Sequence, residues 1–268
     1  MIIVTLTKNS SKTISETIKS LENQNMEDIL WIVLDDQSTD DTLSLINNCK
    51  IKHEIIKVNT KGLFFAYNEA LKILQQRNFK DIIFFLHSDD LLYGNETLKI
   101  VKDKFKEHNI NALIGNIVYF KNNKNEYFRN WRSNFPLKQN KIDNKLYKFS
   151  QILKKDLLFG WSFPHTSFFF HSNILQFIPK YDESFRTSSD YGWSVEIMLQ
   201  NKFEIFYLDE FLIKMKSGGT STNFSNFFDQ FINDYKIIKK LFYKNITDIF
   251  YCYCVLFFKK FRKIKQFF

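Results

Sequence analysis

Apolar segments alternate with amphipathic ones over about the first 120 residues, and this alternation restricts the fold more than any other feature. The apolar segments typical of buried strands are residues 2–6, 30–36, 53–59, 82–88 and 112–120. The intervening segments have helical periodicity; in residues 10–24, for example, Ile14, Ile18 and Leu21 fall on one face. Strands that alternate with helices form βαβ units, so the sequence predicts an α/β fold with a mostly parallel central sheet covered by helices.

The pattern is less regular in the second half of the chain. Residues 121–158 are rich in Lys and Asn and predict surface loops and short helices. A strand with a short helix is expected in 165–175, a capped helix in 188–201 and a strand in 203–212. From about residue 224 onward the sequence is aromatic, basic and typical of helices.

Charge and cysteine usage indicate the surroundings of the protein. The chain has 38 Lys and Arg against 29 Asp and Glu, a net charge of +9, which suits an anionic partner. Its three cysteines have neither zinc-site nor disulfide-framework spacing, and no secretory signal begins the sequence, so we expect a reducing cytoplasm. The longest apolar run, residues 249–258, is too short to span a bilayer.

Two of the predicted strands end in adjacent acids. Asp35 and Asp36 end the second strand, and Asp89 and Asp90 follow the fourth. Parallel strands present their carboxyl ends at one rim, where open α/β sheets bind ligands. Four carboxylates at such a rim suit a hard divalent cation with oxygen ligands. Neither a GxGxxG nor a P-loop motif is present, so a glycine cradle for phosphates is excluded.

Seven segments in a fixed order carry a family resemblance. They are TLTKN (5–9), VLDDQSTDDTL (33–43), KGLFFAYNEAL (61–71), FLHSDD (85–90), PHTSFFF (164–170), YDESFRTSSDYGWSVEI (181–197) and GGTS (218–221). Over residues 2–222 this series resembles the GT-A glycosyltransferases of family 2, especially the bacterial surface-polysaccharide branch of the colanic-acid type. The chain departs from the family pattern at Gln37, where glycine is usual, at Phe65, and at His87, which replaces the first acid of the D-x-D motif.

The resemblance implies an inverting, metal-dependent transfer of a sugar from a nucleotide-sugar, with a UDP-sugar favoured, to a hydroxyl of a glycan or lipid-linked acceptor. It makes Asp190 the general base, Asp90 a ligand of Mn²⁺ or Mg²⁺ together with Asp89, and Asp36 a contact of the nucleotide base. The remaining implied contacts to the donor are Thr5, Leu6, Thr7, Lys61, Asn68, Ser88 and Asp89. The implied acceptor wall consists of Trp161, His165, Tyr191 and Trp193.

Each of these residues also has a structural interpretation. The acids of residues 35–41 can form an Asx-turn or a helix cap, and Asp40 and Asp41 are expected to be helix-start acids. Asp190 can cap the helix that it begins. His165, Trp161 and Trp193 can be packed in the core, and His87 is expected to be packed or hydrogen-bonded rather than a third metal ligand.

The C-terminal segment is expected to form a separate extension. We predict a GT-A domain in residues 1–222, with a nucleotide-sugar half (1–120) and an acceptor half (121–222), followed by a helical extension in 223–268. The last ten residues of that extension contain five basic side chains and no acid: Lys259, Lys260, Arg262, Lys263 and Lys265. A basic, aromatic helix lying on the inner membrane surface is the favoured interpretation, and a helix packed on the domain is the alternative.

Two other functions fit part of the sequence. A non-enzymatic, basic protein that binds nucleic acid or membrane explains the net charge but not the acid-ended strands, which would repel phosphates, so we expect no nucleic-acid partner. A sugar-phosphate nucleotidyltransferase shares a similar sheet but normally carries a glycine-rich basic loop after its first strand. Residues 5–13 contain no glycine.

Overall fold

A computed structural model describes residues 1–120, 127–131, 145–148, 162–200, 204–217, 227–242, 250 and 253–258. The strands are β1 (Ile2–Thr7), β2 (Leu30–Asp35), β3 (His53–Lys57), β4 (Ile82–Phe85), β5 (Leu91–Leu92), β6 (Ala112–Phe120), β7 (Tyr127–Trp131), β8 (Lys145–Lys148), β9 (Phe168–His171) and β10 (Glu204–Lys216). The α-helices are α1 (Ile14–Glu22), α2 (Thr42–Asn47), α3 (Leu63–Arg77), α4 (Thr97–His108), α5 (Ser189–Gln200) and α6 (Phe227–Phe242), and two 3₁₀ helices cover His165–Ser167 and Ser172–Phe177. The predicted α/β fold class is therefore confirmed.

The strands of the described residues form one mixed sheet in the order β3-β2-β1-β4-β9-β6-β10-β5. The first four strands are parallel, as the alternation of strands and helices predicts. β9 is antiparallel to both of its neighbours, β4 and β6, whereas β6 and β10 run parallel to each other. The prediction of only loops and short helices in residues 121–158 is wrong, because β7 pairs with β6 and β8 pairs with β10 there.

Both faces of the sheet are buried, which explains why its first strands are continuously apolar. Ile2 and Val4 of β1 face one core, which α3, α5 and α6 cover, whereas Ile3 faces a second core covered by α1 and α4. The apolar face predicted for α1 is the buried one. Thr13 precedes this helix, and Thr13 and Glu16 have the spacing of a capping box, but the side chain of Thr13 makes no capping hydrogen bond. The hydroxyl of Thr13 donates instead to the carbonyl of Ser10, at 3.3 Å.

The described part of the C-terminal segment packs on the domain. α6 lies so close to α5 that a Cβ atom on Gly192 would be 3.1 Å from Cγ2 of Ile237. Residues 253–258 are helical, and their Val255 and Leu256 are buried in the same core as Ile237. The alternative of a packed helix is therefore correct for these residues, whereas the basic residues 259–268 lie outside the described part of the chain.

The same segment also presents aromatic side chains to solvent. Phe250 is 71% exposed, Tyr253 57% and Phe257 65%. Their spacing of three and four residues matches one face of a helix, opposite the buried Val255. Among the described residues, no helix combines the length and the apolar character that crossing a bilayer requires.

Candidate active site

Three turns meet at one rim because β1 pairs in parallel with both β2 and β4. The register places Thr7 opposite Asp35, so β1 and β2 end at the same level. The turn after β4, which contains His87 to Asp90, opens on the same edge of the sheet. Hydrogen bonds connect these turns: Ser10 Oγ lies 2.9 Å from Ser88 Oγ, and the backbone N–H of Asn9 donates to Ser38 Oγ at 2.9 Å.

The adjacent acids after β2 have different roles. Asp35 is buried and its Oδ2 accepts from the backbone N–H of Ser38 at 3.0 Å, which is the predicted Asx-type turn. Asp36 faces the rim, where its Oδ1 accepts from the N–H of Thr60 at 2.8 Å and its Oδ2 from Lys8 at 2.9 Å. Burial opposes ionisation of Asp36, but these hydrogen bonds outweigh it and lower its pKa. Asp36 is therefore an ionised hydrogen-bond acceptor on the rim.

The rest of this turn is structural. Asp40 accepts from the N–H groups of Ser11 and Thr42, at 3.0 and 3.1 Å, so it has the predicted helix-start role, and Asp41 is the residue that precedes α2. The hydrogen bonds from Ser11 and Thr42 lower the pKa of Asp40. Gln37, which stands where the family pattern has glycine, has φ = 60°. Glycine adopts this left-handed conformation without a Cβ penalty, which explains the usual residue.

Most of the other donor-side residues predicted from the sequence lie on or under this rim. Thr5 is fully buried and its hydroxyl accepts from the indole N–H of Trp31 at 2.8 Å, so its side chain is structural. Leu6 is partly buried, Thr7 is buried at the end of β1, and Lys61 is exposed in the loop after β3.

The prediction that Asn68 contacts the donor requires correction. Its amide nitrogen donates to the carbonyl of Tyr181 at 2.9 Å and to Glu183 at 2.7 Å, and its oxygen accepts from the N–H of Tyr181 at 2.8 Å. Every hydrogen-bonding group of this amide is thus occupied in the protein. Asn68 holds α3 against the loop around Tyr181.

The turn after β4 contains the charged centre of the site. Asp90 is buried; its Oδ1 accepts from the backbone N–H of Lys216 at 3.2 Å, and its Oδ2 lies 3.2 Å from Nδ1 of His87. The other ring nitrogen of His87, Nε2, lies 2.7 Å from the hydroxyl of Tyr67. His87 is thus hydrogen-bonded, as the sequence predicts.

The charges in this turn affect each other strongly. Burial alone would lower the pKa of His87, but Asp90, Asp89 and Asp190 outweigh it and raise that pKa to about 9. Burial and the charge of Asp90 raise the pKa of Asp89, while His87 and Lys216 partly compensate. The repulsion between the adjacent acids Asp89 and Asp90 is therefore partly offset by the nearby cations His87 and Lys216.

These residues fit a divalent cation. Ligand atoms of His87, Asp89 and Asp90 lie within 4.8 Å of one another. Oδ2 of Asp90 is buried and lies 3.2 Å from Nδ1 of His87, so a metal ion bound there would replace the proton of that ring as the neutralising charge. Two carboxylates and an imidazole are usual ligands of such ions.

Asp190 lies in the first turn of α5, which begins at Ser189, so it follows the helix start instead of capping it. Its side chain is partly buried. Together with burial, the charge of Asp190 raises the pKa values of Tyr67 and Tyr181, and it also helps to raise the pKa of His87 in the turn after β4.

The predicted acceptor wall is largely an internal aromatic cluster. Trp193 is only 2% exposed, stacks on Tyr181 at 5.0 Å between ring centroids, and donates its indole N–H to the carbonyl of Pro179 at 2.8 Å. Tyr191 is also buried, and Trp161 lies outside the described residues. Packing thus replaces the predicted exposed surface for Trp193 and Tyr191.

His165 lies beneath the rim and not on it. It is buried, is hydrogen-bonded to the hydroxyl of Tyr181, and its ring stacks 6.3 Å from that of His87. Burial and the charge of His87 lower its pKa to about 3. His165 is therefore a neutral support for His87.

Sequence reasoning missed several residues of the site. Lys8 and Thr60 bind Asp36, Tyr67 binds His87, and Lys216 reaches Asp90 from the end of β10. Two signals were available: Tyr67 lies inside the KGLFFAYNEAL segment, and Lys216 lies two residues before the start of GGTS. Ser10, which contacts Ser88, had no signal of its own.

Comparison with known proteins finds curated relatives that match parts of this chain. The chain is 35% identical over 116 residues to a poly(ribitol-phosphate) beta-glucosyltransferase of Bacillus spizizenii. This match covers 41% of this chain and 18% of that protein. It is 40% identical over 90 residues to the UDP-Glc:alpha-D-GlcNAc-diphosphoundecaprenol beta-1,3-glucosyltransferase WfaP of Escherichia coli, covering 33% of this chain and 34% of that protein. The matched regions are thus about a third or less of these relatives' lengths.

Solved structures share the fold at lower identity. The crystal structure of S. aureus TarS 1-349 in complex with UDP-GlcNAc matches with a TM-score of 0.66 and 20% identity, over 96% of this chain and 70% of that one. A mannosyltransferase from Pyrobaculum calidifontis in complex with GDP-Man and Mn²⁺ matches with a TM-score of 0.61 and 13% identity, over 95% and 69%. The model of glycosyl transferase family 2 matches residues 2–178. The chain therefore belongs to glycosyl transferase family 2.

Proposed function

We propose that the chain transfers a sugar from a nucleotide-sugar to a hydroxyl of a glycan or lipid-linked acceptor in bacterial surface-polysaccharide synthesis. The observation that carries this proposal is that Asp36 and Asp90 follow parallel strands at one rim, where the charge of Asp190, at the start of α5, also acts on His87. The UDP-Glc in the name of one relative and the UDP-GlcNAc bound to TarS support a UDP-sugar as donor.

The donor half of the site, in residues 1–120, would hold the nucleotide diphosphate. Asp36 is an ionised acceptor for an N–H of the base, and Lys8, Lys61 and Lys216 supply positive charge around the phosphates. Asp90 and Asp89 would hold Mn²⁺ or Mg²⁺. When bound, this ion supplies charge that stabilises the diphosphate leaving group.

Asp190 would act as the general base. Its carboxylate takes the proton of the acceptor hydroxyl while that oxygen bonds to the anomeric carbon and the bond to the diphosphate breaks. A single displacement of this kind inverts the configuration and needs no enzyme nucleophile. The rest of the acceptor site would come from residues 121–222.

Thermal stability in the presence of nucleotides tests this function without any acceptor. A ligand that binds only the folded chain stabilises it by about 2.7 kcal/mol at a concentration 100 times its dissociation constant. We expect UDP and UDP-sugars to raise the melting temperature when Mn²⁺ is present, and Asp90→Asn to abolish the rise. Asp103→Asn, an exposed position on α4, is the matched control. No stabilisation by any nucleoside diphosphate with either ion would contradict the proposal.

We also propose that the extension in residues 223–268 places the enzyme on the inner membrane surface. The exposed rings of Phe250, Tyr253 and Phe257 precede the basic residues 259–265. Aromatic side chains insert at the headgroup level, and basic side chains are attracted to anionic lipids. Such an anchor would bring the rim close to a lipid-linked acceptor.

A further inference from the structure

The departure from the D-x-D motif at His87 suggests a specific property of the metal site. Asp90 is 1% exposed, one of its oxygens accepts from the N–H of Lys216, and the other, Oδ2, faces the ring of His87. Nδ1 of His87 lies 3.2 Å from that oxygen. A nitrogen and an oxygen that could both bind a metal thus face each other in a buried position.

His87 is held in an orientation typical of a metal ligand. Its Nε2 lies 2.7 Å from the hydroxyl of Tyr67, whose ring is buried between Tyr181, at 4.7 Å, and Phe85, at 5.0 Å. Ligating histidines usually bind a protein acceptor through their second ring nitrogen, which fixes the ring and directs the other nitrogen to the metal. The contact of Nε2 with Tyr67 leaves Nδ1 to face Asp90.

The spacing of these atoms fits one ion. Adjacent ligands of an octahedral cation with bonds of about 2.1 Å are about 3.0 Å apart. The observed separation of 3.2 Å between Nδ1 and Oδ2 is close to this value, and a carboxylate oxygen of Asp89 lies within 4.8 Å of both residues' ligand atoms. The ion would take the place of the proton between His87 and Asp90.

We propose that Nδ1 of His87 is a direct ligand of the metal ion, so that the site binds Mn²⁺ in preference to Mg²⁺. This inference rests on the proposed function only in placing a metal at the rim. Mg²⁺ is bound through oxygen ligands, whereas an imidazole favours transition metals. An aspartate or asparagine at this position would give a site of oxygens alone.

Pulsed electron paramagnetic resonance of Mn²⁺ tests the ligand directly, on the full chain with Mn²⁺ alone and with Mn²⁺ plus UDP. In the unmodified chain we expect the spin echo of Mn²⁺ to be modulated by a directly bound imidazole nitrogen. His87→Asn should remove this signal and reduce the preference for Mn²⁺ over Mg²⁺, measured by competition, by about tenfold. His108→Asn, on the partly exposed end of α4, should change neither.

The outcomes separate this proposal from the proposed function. Bound Mn²⁺ without nitrogen modulation would overturn the proposal that His87 is a ligand, and so would the same modulation in His87→Asn. The absence of Mn²⁺ binding both with and without UDP would also overturn it. A nitrogen signal lost in His87→Asn would support it even if no nucleotide binds. That last result would contradict the proposed function alone.

Discussion

Nζ of Lys8 lies 2.9 Å from Oδ2 of Asp36, so the loop after β1 is joined to the acid that follows β2. The other oxygen of Asp36 accepts from the N–H of Thr60, after β3. One carboxylate thus connects the loops that follow three neighbouring parallel strands. A nucleotide base that donates a hydrogen bond to Asp36 would therefore meet a carboxylate whose position these loops already fix.

The first prediction concerns Asp36. Asp36→Asn keeps the shape of the side chain but replaces an ionised acceptor by an amide. Hydrogen bonds to charged groups contribute about 1.5–3 kcal/mol, so we expect affinity for UDP to fall by about tenfold or more. Isothermal titration calorimetry measures this change. Asp41→Asn, in the same turn but exposed, should bind UDP normally; equal affinities in the two variants would remove Asp36 from the site.

The second prediction concerns the buried His165, which faces His87, Tyr67 and Tyr181. Its pKa is lowered to about 3, against an ordinary value of 6.5, by burial and the charge of His87. At a pH between these two pKa values, His165 binds a proton in the unfolded chain but not in the folded chain. Stability is therefore fully present above pH 6.5 and falls as the pH falls towards 3, by up to about 1.4 kcal/mol per pH unit.

Urea unfolding at several pH values measures this slope. His165→Gln removes the titrating group, so its free energy of unfolding should depend less on pH between 6.5 and 4 than that of the unmodified chain. The comparison uses slopes, so a general loss of stability in the variant does not affect it. Identical slopes would show that His165 is protonated in the folded state.

The rim was predictable from the sequence because parallel strands have a fixed direction. Acids that end β2 and follow β4 must meet at one edge, whatever the loops do. The contacts that complete the site depend on distant partners: Lys216 reaches Asp90 across 126 residues, and Tyr181 reaches Asn68 across 113. No local pattern encodes such pairs.

The sequence left two interpretations open for Trp193 and did not predict the strands β7 and β8, for related reasons. α5 has apolar residues on several sides, so its sequence does not show whether Trp193 faces solvent or the core. Strands β7 (YFRNW) and β8 (KLYK) are only five and four residues long, in a stretch rich in Lys and Asn. They pair with β6 and β10, which are distant partners that no local pattern indicates.

The third prediction concerns the exposed rings of the C-terminal segment. Replacing Phe250, Tyr253 and Phe257 by serine should reduce binding to vesicles containing phosphatidylglycerol by at least about tenfold, because their apolar area no longer enters the interface. Salt should weaken binding of the intact chain. Serine at Leu63, Ile100 and Leu199, which are exposed elsewhere, is the matched control.

Vesicle sedimentation measures this binding. Equal binding by the two triple variants would mean that these rings do not contact lipid. Equal binding to neutral and anionic vesicles would remove the basic residues from the proposal.

The most direct test of the account is Asp190→Asn, with donor binding and turnover measured on the same protein. Asparagine keeps the size of the side chain at the start of α5 but cannot accept the proton of an attacking hydroxyl. Release of UDP from a UDP-sugar, with water or a membrane extract as acceptor, should fall by about 10²-fold or more. Affinity for the donor and for Mn²⁺ should hardly change, because Asp36, Asp89 and Asp90 remain. Turnover near that of the unmodified chain would contradict the assignment of Asp190 as the base.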